Sequence, residues 1–216
     1  MKHARPLPGS LVGRYHGWKA TTYADNAQWY RRLATDGQRP RAMIVACCDS
    51  RVHLATLFEA EQGEFFIHRN IANIVPPYEP DGLRHGTSAA LEYAVTALNV
   101  TQVIVMGHSH CGGIEGCHDM CAGHAPELES PGSFVGRWMD VLRPAYEVVK
   151  DIADPAERLE ALGKQAILTS LENLMTFPFV ADPVQRGDLA LHAVWNDIAE
   201  GGLEVYDPRL ERFAPV

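Results

Sequence analysis

Two short segments of the sequence carry residue types that bind zinc. Cys47 opens the segment Cys-Cys-Asp-Ser-Arg, and His108 and Cys111 lie downstream in Gly-His-Ser-His-Cys-Gly-Gly. A zinc ion takes about four ligands in a tetrahedron, and a catalytic zinc keeps one of those positions open. Two cysteines and one histidine therefore supply three ligands and leave the fourth position for water or hydroxide.

Asp49 and Arg51 follow Cys47 closely and indicate how such a site would work. In an extended segment, two residues at this spacing point their side chains the same way. The guanidinium would then keep the carboxylate ionised and oriented. Because a carboxylate beside metal-bound water can accept its hydrogen bond, these residues together indicate a zinc hydrolase or hydratase.

The residues that carry this chemistry stand at the ends of predicted strands. Apolar runs predict four buried strands, and a turn at Gly201-Gly202 predicts a hairpin to a fifth. These strands span Ala42–Cys47, 64–68, 102–107, 189–195 and 203–206. Cys47 ends the first strand, and His108 follows the third. Ligands of open parallel sheets bind outside the carboxyl ends of the strands, so we expect the site there.

Helical segments alternate with the strands. An alanine-rich segment predicts a buried helix over 83–98, and Asp154 before Pro-Ala-Glu predicts the capped start of a helix that stops near Pro178. An amphipathic helix is predicted over 23–34. The alternation predicts a single α/β domain over residues 1–216, with a mostly parallel central sheet of four strands plus an antiparallel edge strand, flanked by helices.

Composition excludes several classes of function. The 216 residues are 46% hydrophobic and 21% charged, as in a globular protein, and the net charge is −8. Without a basic patch, nucleic-acid binding is disfavoured. There is no apolar stretch long enough to span a membrane and no signal-peptide pattern, so a cytoplasmic protein is expected. Five cysteines, an odd number, indicate a metal or catalytic role rather than a disulfide framework.

The two motifs in combination resemble those of the β-class carbonic anhydrases. The segment that starts at Arg69 is also similar to that family's Arg-Asn-x-x-Asn pattern, and the resemblance is close over about residues 37–116. It implies reversible hydration of carbon dioxide to bicarbonate and a proton by zinc-bound hydroxide. It also implies one Zn²⁺ per chain, bound by Cys47, His108 and Cys111.

The resemblance assigns further roles to particular residues. It makes Asp49 and Arg51 the catalytic pair. Its plant-type subtype adds a substrate pocket, in which an amide like that of Gln38 donates a hydrogen bond to bicarbonate and an apolar wall receives carbon dioxide. The matching pocket residues here are Gln38, Phe66, Ile71, Tyr93 and Gly112. A homodimer or an assembly of dimers is implied, with a helical arm of about residues 1–40 on the partner and pocket residues shared across the interface.

A second subtype of the family carries a bicarbonate-binding tryptophan three residues before the first zinc cysteine. This sequence has Ile44 at that position. We therefore expect an active site that is open near neutral pH, in which bicarbonate does not readily drive Asp49 onto the metal.

Two other functions remain open at this point. One is a hydrolase of carbonyl sulfide or carbon disulfide on the same scaffold, although the matching pocket residues favour carbon dioxide. The other is a non-catalytic, zinc-binding regulatory protein, although a purely structural zinc site does not need the pair of Asp49 and Arg51.

The remaining cysteines are interpreted structurally. Cys48 is expected to face away from the zinc as a small buried side chain. Cys117 and Cys121, with neighbouring histidines, form a second cluster that is interpreted as a packed helix surface rather than a metal site.

Overall fold

The computed structural model describes residues 3–80 and 85–216. Contacts divide the chain into two compact units, Met1–Gln38 and Arg39–Val216. The smaller unit contains α1 (Gly9–Trp18) and α2 (Ala27–Asp36), joined through a π-helical turn.

Sequence analysis predicted only part of the smaller unit. The helix expected over 23–34 is α2, which begins four residues later, and α1 was not predicted. Three glycines lower the helix propensity of α1, and none of its residues is buried. Aromatic rings hold this unit together, with centroids 5.1–5.6 Å apart among Trp18, Tyr23 and Tyr30.

The larger unit is an α/β sheet with helices on its faces. Its strands are β1 (Ala42–Cys47), β2 (Phe65–Asn70), β3 (Gln102–His108), β4 (Ala190–Asn196), β5 (Leu203–Asp207) and β6 (Arg212–Pro215). Its helices are α3 (Leu54–Leu57), α4 (Gly86–Glu92), α5 (Gly112–Cys121), α6 (Phe134–Met139), α7 (Arg143–Val149), α8 (Pro155–Leu174) and α9 (Pro178–Arg186). Short turns of 3₁₀ or π helix follow β2, α4 and α6.

The strands are ordered β2-β1-β3-β4-β5-β6 across one sheet. The first four are parallel to one another, whereas β5 and β6 are antiparallel to their neighbours. After β2 the chain returns to the opposite side of β1 to form β3, so the direction of winding reverses between β1 and β3. Ligands of open α/β sheets bind at such a switch point.

The predicted fold class is confirmed, with one difference at the sheet edge. The hairpin from β4 to β5 forms as expected, but β6 pairs with β5 and takes the outer position. The segment Arg212–Pro215 contains a single strongly apolar residue, Phe213, and ends in proline, a residue confined to edge strands. Its pattern was too short and too polar to predict a strand.

The central strands are buried because side chains on both faces pack against other elements. Every residue of β1 is buried, as expected for a strand covered on both sides. Alternate residues face two different cores: Met43 and Val45 pack with α4, α8 and α9, whereas Ile44 and Ala46 pack with α3 and the β5 hairpin. This rigid strand carries Cys47 at its carboxyl end.

Two predicted helices form, and one of them ends slightly earlier than predicted. Asp154 caps α8 as predicted, accepting a hydrogen bond from the Glu157 amide at 2.8 Å. However, α8 ends at Leu174, and Pro178 begins α9 instead of terminating α8. The helix predicted over 83–98 is α4 with its π turn, and the start of that prediction lies outside the described residues.

Candidate metal centre

The three predicted ligands meet at the switch point of the sheet. Cys47 ends β1, His108 ends the neighbouring β3, and Cys111 directly precedes α5. All three are buried, and their ligand atoms lie within 4.8 Å of one another. Parallel pairing brings them together, because adjacent parallel strands place their carboxyl ends at the same edge.

The imidazole of His108 presents one nitrogen to this cluster. Its Nδ1 lies 2.9 Å from the carbonyl oxygen of Ser109. A carbonyl oxygen only accepts, so Nδ1 carries the proton and Nε2 keeps a free lone pair. Nε2 is buried and has no hydrogen-bond partner among the described residues. A buried nitrogen without a partner is costly unless a further group binds it.

The donor set fits a zinc ion. The sulfurs of Cys47 and Cys111 are 3.8 Å apart. Two sulfurs that bind one tetrahedral zinc at about 2.3 Å each also lie about 3.8 Å apart. The hydrogen bond between the thiols lowers the pKa of Cys47 and raises that of Cys111, so one thiol of the pair ionises readily. Thiolate and imidazole donors with no buried carboxylate among them suit zinc better than magnesium or calcium.

Asp49 and Arg51 form the predicted pair beside this cluster. Nε and Nη2 of Arg51 donate to Oδ1 and Oδ2 of Asp49 at 2.9 and 2.7 Å, and the Arg51 amide also donates to Oδ1. These bonds from Arg51 hold the pKa of Asp49 well below its usual range. Asp49 and Arg51 therefore pair as predicted. The backbone between them forms a turn, however, and is not the extended segment from which the pairing was predicted.

The carboxylate is placed to act at the metal cluster. Asp49 Oδ2 lies 4.0 Å from Nε2 of His108. At neutral pH the ionised carboxylate can only accept hydrogen bonds. It can therefore orient a donor that lies between it and the cluster.

Arg69 supports both functional segments, and no role was predicted for it. Its guanidinium donates to the carbonyl oxygens of Cys47 and Asp49 at 2.8 and 2.6 Å. Its neighbour Asn70 holds the following turn through hydrogen bonds to both backbone groups of Ile74. The only sequence signal for Arg69 was the Arg-Asn-x-x-Asn pattern. Its hydrogen bonds to two carbonyl oxygens could not be predicted, because they depend on the contact between β1 and β2.

The structure places the five predicted pocket residues in different locations. Phe66 and Tyr93 contact each other, with ring centroids 5.9 Å apart. Phe66 pairs with Met43, four residues before Cys47, which separates it from that cysteine by roughly 13 Å along the strand.

The other pocket residues are located independently of that aromatic pair. Ile71 lies close to the first turn of α5, directly after Cys111, since a Cβ on Gly113 would stand 2.9 Å from its side chain. Gly112 is exposed, with no neighbouring atom of the described chain within 4 Å of a Cβ placed there. Gln38 is an exposed residue of the smaller unit, and its role stays a prediction.

An apolar hollow of about 480 Å³ adjoins Ile71. Trp138 forms part of its lining and donates from Nε1 to the Ile71 carbonyl oxygen at 2.9 Å. Phe134 lines the same hollow and is 89% exposed. Ile71 itself is 42% exposed, so it contributes an accessible apolar surface near the cluster.

The remaining cysteines do not join the cluster. Among residues 3–80 and 85–216, the cluster of Cys47, His108 and Cys111 is the only group of three side chains with metal-binding spacing. Cys117 is buried and Cys121 half-buried, in agreement with a packed helix. The prediction that Cys48 is buried is wrong: its thiol is exposed, because the chain leaves the sheet directly after Cys47.

Comparisons with known proteins give a consistent assignment. A family model described as "Carbonic anhydrase" matches residues 42–203. "Beta carbonic anhydrase 3" of Arabidopsis thaliana is 36% identical over 88% of this chain and 73% of its own length. A "Carbonic anhydrase" of Pseudomonas aeruginosa is 37% identical over 94% of this chain and 89% of its own length.

Solved structures show the same likeness. The β-carbonic anhydrase CcaA superposes with a TM-score of 0.87 at 31% identity, covering 96% of this chain and 91% of CcaA. A tetrameric β-carbonic anhydrase of Sordaria macrospora gives a TM-score of 0.74 at 27% identity, over 91% of this chain and 95% of that one. Within the described part of the chain, no helix is both long and apolar enough to cross a membrane.

The fold and the site define an α/β protein with a Cys-His-Cys group that could hold a metal ion at the switch point of its sheet. The family match and the named relatives identify the protein family and the class within it. This chain belongs to the carbonic anhydrase family, and its relatives place it in the β class. It is therefore an enzyme, a lyase that acts on carbon dioxide.

Proposed function

We propose that the enzyme hydrates carbon dioxide reversibly, giving bicarbonate and a proton, with one zinc ion held by Cys47, His108 and Cys111. The observation that carries this proposal is the buried Nε2 of His108, which has no hydrogen-bond partner in the described part of the chain, lies near two thiols and is 4.0 Å from the Asp49 carboxylate. Zinc would supply the Lewis acidity that makes water a nucleophile near neutral pH.

The Asp49 carboxylate is the proposed catalytic acceptor. Its depressed pKa keeps it ionised, so it accepts a hydrogen bond from the reacting water without storing a proton. Arg51 fixes the direction of that carboxylate through two parallel hydrogen bonds. The proton that the reaction releases passes to solvent or buffer.

The substrate pocket is proposed to contain residues of two copies of the chain. Phe66 lies far along the sheet from Cys47 in the same chain, and its ring contacts that of Tyr93, which is 49% exposed. The pair is therefore accessible to the metal site of a second copy. There it would form an apolar wall opposite Ile71 of that copy, with Gln38 and the Gly112 backbone contacting bicarbonate.

We propose a homodimer, or an assembly of dimers, in which the arm of residues 1–38 contacts the partner. The arm carries six basic and two acidic residues, whereas the remainder of the chain carries 13 basic and 25 acidic ones. Its Leu7, Leu11 and Tyr15 are 48–69% exposed. A basic arm with accessible apolar side chains is complementary to the acidic body of a second copy.

Two further proposals concern regulation and location. Ile44 is fully buried in the core, where the other subtype has its tryptophan, so we propose that bicarbonate does not shift Asp49 onto the metal. A crystal structure at neutral pH with Asp49 bound to zinc would contradict this.

All five cysteines are free thiols, which suits the reducing cytoplasm that we propose as the compartment.

Stopped-flow carbon dioxide hydration on zinc-quantified protein tests the function. Rapid hydration with about one zinc per chain is expected, and Asp49→Ala should abolish it while zinc stays bound. Zinc-loaded protein without hydration would contradict the proposal. Parallel assays with carbonyl sulfide and carbon disulfide would then identify a sulfur-substrate hydrolase, and inactivity on all three would indicate a non-catalytic protein.

A further inference from the structure

The loop between β3 and α5 orients two parts of the site with two consecutive carbonyl groups. The Ser109 carbonyl oxygen accepts from Nδ1 of His108 at 2.9 Å. The His110 carbonyl oxygen accepts from Nη2 of Arg51 at 2.7 Å. The position of this loop therefore fixes the tautomer of a metal ligand and also the direction of the guanidinium that holds Asp49.

This loop requires external support, because His110 has a left-handed backbone conformation with φ of 54°. For a residue other than glycine, that conformation is disfavoured, because Cβ comes too close to the following carbonyl oxygen. Such conformations persist only where surrounding contacts hold them.

The support comes from the loop after β4. Ser109 Oγ donates to Oδ1 of Asp197 at 3.0 Å and accepts from the Ile198 amide at 2.9 Å. The Ser109 amide donates to the Asn196 carbonyl oxygen at 2.9 Å. Asp197 is itself fixed by a tight turn, since its Oδ1 accepts from the Ala199 amide at 2.9 Å. One carboxylate oxygen thus joins the two loops.

We propose that Asp197 is a positioning residue for the metal centre, acting through Ser109. It holds the loop so that the Ser109 carbonyl keeps Nε2 of His108 free for the metal and the His110 carbonyl keeps Arg51 on Asp49. Asp197 itself touches neither the ligands' donor atoms nor the substrate. The proposal rests on the proposed zinc site and on the catalytic pair.

A purely structural role in the β4–β5 connection is the competing explanation. Asp207 provides the matched control, because its Oδ1 forms the same kind of turn, accepting from the Arg209 amide at 2.8 Å. Asp207 lies at the end of β5 and has no contact with Ser109 or the metal loop among the hydrogen bonds of the described residues. Removing it tests the effect of losing such a turn without disturbing the site.

The experiment measures zinc affinity by competition with a chromogenic chelator and the visible absorption of the cobalt-substituted protein. Asp197→Ala and Ser109→Ala should each weaken zinc binding by roughly tenfold to a hundredfold and change the cobalt spectrum. The double variant should bind zinc no more weakly than whichever single variant binds it less tightly. Both substitutions remove the same hydrogen bond between Ser109 and Asp197, so their effects should not add. Asp197→Asn retains an acceptor oxygen and should restore most of the affinity, and Asp207→Ala should match the unmodified protein.

An unchanged zinc affinity and an unchanged cobalt spectrum in Asp197→Ala would overturn the inference, whatever the result for Ser109→Ala. If Asp197→Ala does not fold, Ser109→Ala decides, because it leaves the turn at Asp197 intact. Neither readout depends on turnover. Unmodified protein that binds zinc but does not hydrate carbon dioxide would therefore contradict the proposed function and leave this inference standing.

Discussion

Arg51 contacts both oxygens of the Asp49 carboxylate, with Nε 2.9 Å from Oδ1 and Nη2 2.7 Å from Oδ2. The same Nη2 donates to the carbonyl oxygen of His110, in the loop that carries Cys111. The guanidinium therefore ties the Asp49 carboxylate to the loop between β3 and α5. Arginine suits this position, because its planar fork can make several fixed hydrogen bonds at once.

Substitution of Asp49 by asparagine should separate catalysis from metal binding. Asp49→Asn keeps the size of the side chain but replaces the carboxylate acceptor, so hydration should fall by about 10²–10⁴-fold while zinc content is unchanged. Stopped-flow hydration and metal analysis measure the two effects. Asp207→Asn is the matched control, since Asp207 pairs with Arg209 in the same arrangement, and it should remain fully active.

Adjacent cysteines should differ sharply in their effect on metal content. Cys47→Ser removes a buried thiol of the cluster and should lower zinc content well below one per chain and reduce thermal stability, because bound metal stabilises the folded state. Cys48→Ser changes an exposed thiol outside the cluster and should retain zinc. Equal zinc loss in both variants would contradict the assignment of ligands.

A mixed oligomer tests whether the pocket is shared between subunits. Asp49→Ala and Tyr93→Ala should each give an inactive homo-oligomer. Co-expressed with two different affinity tags and purified as mixed dimers, they should regain activity, because one of the two sites then combines an intact Asp49 with an intact Tyr93. If the pocket is formed within one chain, the mixed dimers stay inactive, whereas the unmodified chain carrying both tags is active.

Close packing predicts that replacing two different glycines by alanine changes the stability of the protein to different extents. A Cβ on Gly163 would lie 2.7 Å from the ring of the buried Trp195, so Gly163→Ala should destabilise the protein by about 1–3 kcal/mol. On Gly116 the nearest atom would be 3.8 Å away, and Gly116→Ala should be neutral or stabilising. Thermal unfolding followed by circular dichroism measures both. A lower melting temperature for Gly116→Ala than for Gly163→Ala would contradict this packing argument.

Burial of His192 predicts a pH dependence of stability. Burial lowers the pKa of this imidazole, so below about pH 6.5 the unfolded chain binds more protons than the folded one. Its contribution to stability is therefore complete above that pH and is lost as the pH falls towards the folded pKa. Urea unfolding at pH 7.5 and 5.5 should show a smaller loss for His192→Gln than for the unmodified protein.

The exposed His124 supplies the control for this measurement, with a side chain that is 69% exposed. His124→Gln should keep the pH dependence of the unmodified protein. An unchanged pH dependence in His192→Gln would show that the buried imidazole does not contribute.

Much of the site could be predicted from the sequence, because its residue types are restrictive. Few functions other than zinc binding require Cys47, His108 and Cys111 at strand ends with glycines around them, and the pairing of Asp49 with Arg51 follows from their charge and proximity. The four central strands were equally clear, since continuous burial on two faces demands long apolar runs. These properties depend on local sequence and can therefore be predicted from it.

Which distant groups meet depends on how the chain packs. The hydrogen bonds of Arg69 to two backbone carbonyls and of the Ser109 hydroxyl to Asp197 join residues 20 to 88 positions apart, and no local pattern marks which distant partner each side chain meets. The separation of Phe66 from Cys47 is likewise a matter of strand register. The residue types of Cys47, His108 and Cys111 and the fold class could be read from local patterns, whereas packing set how these side chains are oriented, because orientation depends on long-range pairing that no local pattern encodes.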